Sequence, residues 1–135
     1  MAILSSAEAR VQLETLTSNL LFVSESDFPL NVIQLGKVAE LNAAELLSAV
    51  GKSPTLSVER VTVDDFFGYA AQEQSFHTAA ERAGAQRYRA LLELFNTALE
   101  SARVFRVGSI DIDAYAVGKS ADGEWLGVAT KLVET

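Results

Sequence analysis

The last third of the chain holds three β-rich segments, Val104 to Val107, Ile110 to Val117 and Glu124 to Val133, with Gly108-Ser109 and Ala121-Asp122-Gly123 supplying turns between them. Short links of this kind make successive strands antiparallel neighbours, because a parallel return needs a crossover of about a dozen residues or more. A sheet built this way must have its apolar faces covered, and only upstream helices are at hand.

Those helices announce themselves by their caps. Ser5 and Glu8 stand in capping-box spacing before an apolar stripe of Ala9, Leu13, Leu16 and Leu20, so a first helix is expected to stop near Asn19. Asn42 and Glu45 cap a short helix with Leu46, Leu47 and Val50, closed by Gly51 and Pro54. Thr78 and Glu81 cap the longest helix, expected to run to about Arg103 on a stripe of Tyr88, Leu91, Leu92, Phe95, Leu99 and Ala102. Leu30 to Leu35 and Leu56 to Val63 read as strands, and Asp64 as the N-cap of a helical turn through Phe66 and Phe67. Ser24 to Pro29 reads as a polar turn carrying two acids, and Ala70 to His77 as an irregular, exposed connection. With 135 residues, no repeat and no linker, one α/β domain over residues 1–135 is expected, its largely antiparallel sheet covered by helices.

Charge narrows the partners. Eleven Lys and Arg face 18 Asp and Glu, a formal net charge of −7. Such a chain repels phosphate unless a basic stripe is segregated, so direct nucleic-acid binding is not expected and a basic protein surface is the natural partner. Glu14, Glu25 and Asp27 lie between Arg10 and Lys37 with no base among them, and Asp64, Asp65, Glu73 and Glu81 lie likewise between Arg60 and Arg82. The bases gather at Arg82, Arg87, Arg89 and Arg103, assigned to the long helix. If the two acid-only stretches meet, one end of the molecule carries a negative field; otherwise the acids are ordinary solubilising charge. The longest early apolar run, Leu20 to Val23, is far short of the ~20 residues of a membrane span, and the N-terminus has no leader pattern. No cysteine is present, which removes disulfides, thiol nucleophiles and zinc–thiolate sites and suits a cytoplasmic location.

Catalytic readings fare poorly. His77 is the only histidine, and no serine sits in a Gly-x-Ser-x-Gly setting. Gly51-Lys52-Ser53 and Gly118-Lys119-Ser120 lack the earlier glycine of a phosphate loop, since Leu46 and Asp113 stand there. Asp111 and Asp113, at i and i+2, share one strand face and suit either a hard cation or the wet side of a sheet. Glu25 differs: a carboxylate between two serines on a short turn projects from a fixed base, as a binding acid or as a plain loop acid.

Leu20-Leu21-Phe22-Val23-Ser24-Glu25-Ser26-Asp27-Phe28-Pro29 and Gly127-Val128-Ala129-Thr130-Lys131-Leu132-Val133-Glu134-Thr135 resemble the signature segments of the nuclease A inhibitor family. Asp65-Phe66-Phe67, Leu91-Leu92-Glu93, Val107-Gly108 and Tyr115-Ala116-Val117-Gly118 follow the same order between them. The resemblance implies a three-layer α-β-α sandwich acting as a non-enzymatic, intracellular inhibitor of a sugar-nonspecific, Mg-dependent DNA/RNA nuclease, with no cofactor or metal of its own. It further implies that Glu25, flanked by Ser24 and near Asp27, reaches the nuclease's metal region, and that Thr135 is a second contact. A third contact of the family is an acidic–aromatic pair before the long helix. Here that pair is Ser75-Phe76, which keeps the aromatic and lacks the acid; Glu73 is near but not at the matching position. Phe76 then serves as an apolar anchor or packs under its own loop. Two other functions stand beside this one: the same fold binding a different basic protein, and a metal-assisted hydrolase using Asp111 and Asp113.

Overall fold

The computed structural model describes residues 2–134. Helix α1 (Ser6–Thr17) opens on the Ser5/Glu8 capping box and leads into strands β1 (Leu21–Val23) and β2 (Asp27–Pro29), a small antiparallel hairpin. Strand β3 (Asn31–Gly36), helix α2 (Ala43–Ala49), strand β4 (Val58–Val61) and helix α3 (Val63–Phe67) follow. Helix α4 (Ala79–Glu93) continues as a π-helical turn, Leu94–Ala98, before β5 (Glu100–Val107), β6 (Asp111–Lys119) and β7 (Trp125–Val133).

Strands β3 to β7 form one antiparallel sheet in the order β3-β7-β6-β5-β4. The short links do make β5, β6 and β7 successive neighbours. Strand β7 then lies between β6 and β3, so β3 joins the sheet only through it. Period-2 alternation feeds two apolar clusters. Val104, Ala116, Leu126 and Val128 pack with Leu13 of α1, Phe67 of α3 and Leu91 and Phe95 of the α4 segment. Phe105, Val107, Tyr115, Val117 and Trp125 turn the other way, onto Leu46 and Leu47 of α2. None of the described helices is long and apolar enough to cross a membrane.

Several boundaries differ from the sequence reading: the strand expected over Leu56 to Val63 is Val58–Val61, because Val63 already opens α3, and three further differences bear on the site. The long helix does not reach Arg103: the apolar stripe runs on, but the backbone turns extended at Leu99 (φ −127°), after the π-helical turn. Arg103 therefore lies on β5 and is no member of a basic helix face. It is buried, donates to Glu40 at 2.5 Å and to the Ser101 carbonyl at 2.9 Å, and lies 5.1 Å over the Trp125 ring. Second, Asp64 is not a cap; the Thr62 hydroxyl accepts from the Asp65 amide at 3.0 Å, and Asp64 accepts from Asn96. Third, Ser24 to Pro29 is not only a turn, because Asp27–Pro29 pairs with Leu21–Val23.

Candidate functional site

Ser24, Glu25 and Ser26 close the β1–β2 hairpin. The Ser24 amide donates to the Ser26 carbonyl at 3.1 Å, and the Ser24 hydroxyl donates to the same oxygen at 3.0 Å. That hydroxyl also accepts from the Val133 amide at 3.2 Å, which ties the hairpin tip to the last residue of β7. The base of the hairpin is fixed as firmly. Phe22 stacks on Phe66 of α3 with centroids 4.7 Å apart, and meets Phe67 and Tyr88 edge-on at 6.2 and 6.3 Å. The Tyr88 hydroxyl donates to the Leu21 carbonyl at 2.7 Å, and burial holds its pKa well above the ordinary 10, so it stays a donor. Thr130 of β7 donates to the Pro29 carbonyl at 2.9 Å. Glu25 and Asp27 are exposed on this braced hairpin.

The C-terminal segment runs beside the tip. Glu134 donates its amide to the Ile110 carbonyl, and its carboxylate takes the Arg106 guanidinium through both oxygens, the second at 2.7 Å. Arg106 also faces Glu59, with Nε 3.5 Å from the carboxylate, an ion pair in which Nε makes no hydrogen bond. Asp65, Arg106 and Glu134 line one cleft with Phe22, Phe66 and Leu132, so the C-terminal end, α3 and the hairpin converge. Thr135, the second contact implied by resemblance, lies outside the described residues.

On the other flank of the hairpin runs the 68–78 connection. Ser75 is exposed, and Phe76 is 73% exposed, edge-on to His77 with centroids 5.1 Å apart. Phe76 therefore does not pack beneath its own loop. His77 is half-buried and accepts the Gln74 amide at 3.1 Å, which shapes the loop. Glu73 turns toward α4, 3.6 Å from Arg89 and 3.3 Å from Gln86.

The two acid-only stretches thus meet in part: hairpin β1–β2, with Glu25 and Asp27, packs against α3, which carries Asp64 and Asp65, and against the loop after it. Glu14 stands apart on α1, paired with Arg10 at 3.5 Å. The other sequence candidates scatter. Asp113 holds Lys52 at 2.8 Å, a bond that raises the lysine pKa, and Lys119 donates to the Ala39 carbonyl. Among the described residues no group of three or more acidic, histidine or cysteine side chains could hold a metal ion.

Sequence reasoning missed two features. One is Arg106, whose role depends on a partner 28 residues away. The other is an apolar groove of about 290 Å³ between the hairpin and the 69–77 loop, edged by Leu21, Val23 and Tyr69. Its signal was in the sequence, as apolar residues on a three-residue strand and a polar loop, but nothing local says that these two segments touch.

No curated protein matches the chain. The family model described as nuclease A inhibitor-like protein matches residues 7–135, a span that includes the hairpin, the loop and β7. A family of that description implies nuclease inhibition, with a nuclease as protein partner. On a match over nearly its whole length, the chain belongs to the nuclease A inhibitor-like protein family.

Proposed function

We propose that this protein inhibits a sugar-nonspecific, Mg-dependent DNA/RNA endonuclease by placing Glu25 in the enzyme's active-site cleft. The supporting observation is the bond from the Val133 amide to the Ser24 hydroxyl, which holds an exposed carboxylate on a short, braced tip. A nonspecific nuclease binds its substrate through a basic groove and a partly hydrated Mg²⁺, both of which favour anionic oxygen. Glu25 offers carboxylate oxygens where phosphate oxygens would sit, at the partner's metal or its bound waters. Ser24 sets the tip, Asp27 adds to the field, and Ser75, Phe76 and Thr135 complete the contact surface that the family resemblance implies. In the same reading the fold is a three-layer α-β-α sandwich forming one domain over residues 1–135, supported by apolar clusters fed from alternate residues of one sheet. The protein is not an enzyme, binds no nucleic acid or membrane directly, and works in the cytoplasm.

Glu25→Gln keeps the shape of the tip and removes its charge. It should weaken inhibition of DNA degradation by a partner nuclease by about 2 kcal/mol or more, roughly 30-fold. Unchanged potency would remove Glu25 from the mechanism. Ser75 favours a second reading, in which the same tip serves a different basic protein. Capture of a non-nuclease partner, lost with Glu25→Gln, would decide for it.

A further inference from the structure

The groove lies between the hairpin, the 69–77 loop and the start of α4, and the first two of these each carry a proposed contact, Glu25 two residues beyond Val23 and Phe76 within the loop itself. It is therefore continuous with the proposed interface. Its rim is unusual for a soluble protein. Val23 is 71% exposed, Tyr69 76% and Leu21 47%, three large apolar side chains around one depression. The groove is not wholly apolar, because Glu81 lines it. One of the Glu81 oxygens accepts the Thr78 amide at 2.8 Å, and hydrogen bonds to Thr78 hold its pKa below the ordinary 4.5, so the carboxylate is ionised at neutral pH. An aliphatic wall, an exposed phenol ring and a carboxylate together match a long side chain with a flat cationic head. Arginine has that shape: its stem covers apolar surface, and its guanidinium stacks on an aromatic face while pairing with carboxylate. A nuclease that grips a polyanion carries such residues around its cleft.

We propose that the groove bounded by Leu21, Val23, Tyr69 and Glu81 receives an arginine side chain from the nuclease, as a second anchor beside the Glu25 tip. The proposal rests on the inhibitor reading for its partner, but not for the chemistry of the groove. The occupant lies with its stem along Leu21 and Val23, its guanidinium over the Tyr69 ring and one N–H donating to Glu81. Specificity follows from this second anchor, since a nuclease whose cleft rim lacks the matching arginine would meet the same tip with less to hold it.

The test has two arms. In the first, the intact protein is titrated with a blocked arginine amide and, separately, with blocked citrulline amide, which keeps the shape and loses the charge. Arginine is expected to shift the NMR resonances of Val23, Tyr69 and Glu81, and citrulline is not. Equal shifts with both, or none with arginine, would overturn the proposal whatever the fate of the inhibitor reading. In the second arm, inhibition of a Mg-dependent nonspecific nuclease is measured with Glu81→Gln and with Tyr69→Leu. Glutamine still serves at the third helical position of a capping box, so α4 keeps its cap while the charge goes. Glu81→Gln is expected to weaken inhibition about tenfold and Tyr69→Leu about fivefold. Loss with Tyr69→Leu but not with Glu81→Gln would assign the groove to an apolar side chain and overturn the arginine. If Glu25→Gln abolishes inhibition while both groove variants retain full potency, the groove fails and the tip stands. If the wild-type protein inhibits no such nuclease, the inhibitor reading fails and the titration alone decides the chemistry of the groove.

Discussion

The Ser24 hydroxyl donates to the Ser26 carbonyl and accepts from the Val133 amide, so one oxygen both shapes the turn and fastens it to β7. Ser24→Ala leaves β1 and β2 paired but frees the tip to move, and lets the Val133 amide seek water. The expected effect falls on binding more than on folding. Inhibition should weaken by about 1 kcal/mol, roughly fivefold, with little change in melting temperature, measured on the same samples. Asp122 carries a different kind of anchor, joining the last sheet turn to the start of α1. It accepts from the Ser6 amide and hydroxyl at 2.7 Å each and from the Ser120 hydroxyl at 2.9 Å. These bonds, the Ser6 hydroxyl first, hold its pKa far below the ordinary 3.8. A depressed carboxylate pKa stabilises the fold fully above 3.8, and that stability fades as the pH falls toward the native value. Asp122→Asn should therefore melt below wild type at neutral pH, and the gap should narrow in titrations below about pH 4. Because the carboxylate is exposed, water screens it and the gap stays modest.

At the level of elements, close approach decides what the sheet tolerates. A Cβ on Gly127 of β7 would meet the Ala116 carbonyl oxygen at 1.8 Å and Val117 Cα at 2.9 Å. Both atoms are backbone of the neighbouring strand β6, so no side chain can move aside. Gly127→Ala should cost about 3 kcal/mol or more, read as a lower urea midpoint at unchanged slope, or prevent folding. The elements themselves were unevenly legible. Capping boxes at Ser5/Glu8 and Thr78/Glu81 are local chemistry, and the structure has both. The end of α4 was hidden because Leu99 and Ala102 serve the core equally from extended backbone, so the periodic stripe carried no stop signal. Strands β1 and β2, three residues each, are too short to show alternation, and their pairing depends on Phe22 finding Phe66. Thr62 and Asp64 both fit a cap, and only the backbone direction chose Thr62.

For the whole molecule, charge and its placement act at longer range than any contact. A net charge of −7 draws a basic partner from beyond contact distance, and salt shortens that reach from about 30 Å at 0.01 M to about 8 Å at 0.15 M. Association with the nuclease should slow by about tenfold or more between those salt levels in stopped-flow mixing, while the dissociation rate changes far less. A salt effect confined to dissociation would show that steering plays no part. The acid-rich character was readable from charge order, and the candidate tip from its motif. The candidate site as a surface was not, since it is assembled from residues around positions 25, 69–81 and 106–134, which only the folded chain brings together.

Strand β7 is the piece that closes this assembly. It enters between β6 and β3 and supplies both Thr130 to the hairpin base and Val133 to its tip. With β7 unpaired, β3 loses its one neighbour in the sheet and the hairpin loses its bonds from Thr130 and Val133, so on the proposed reading a chain whose last strand is displaced should be not a feeble antagonist but an inert one.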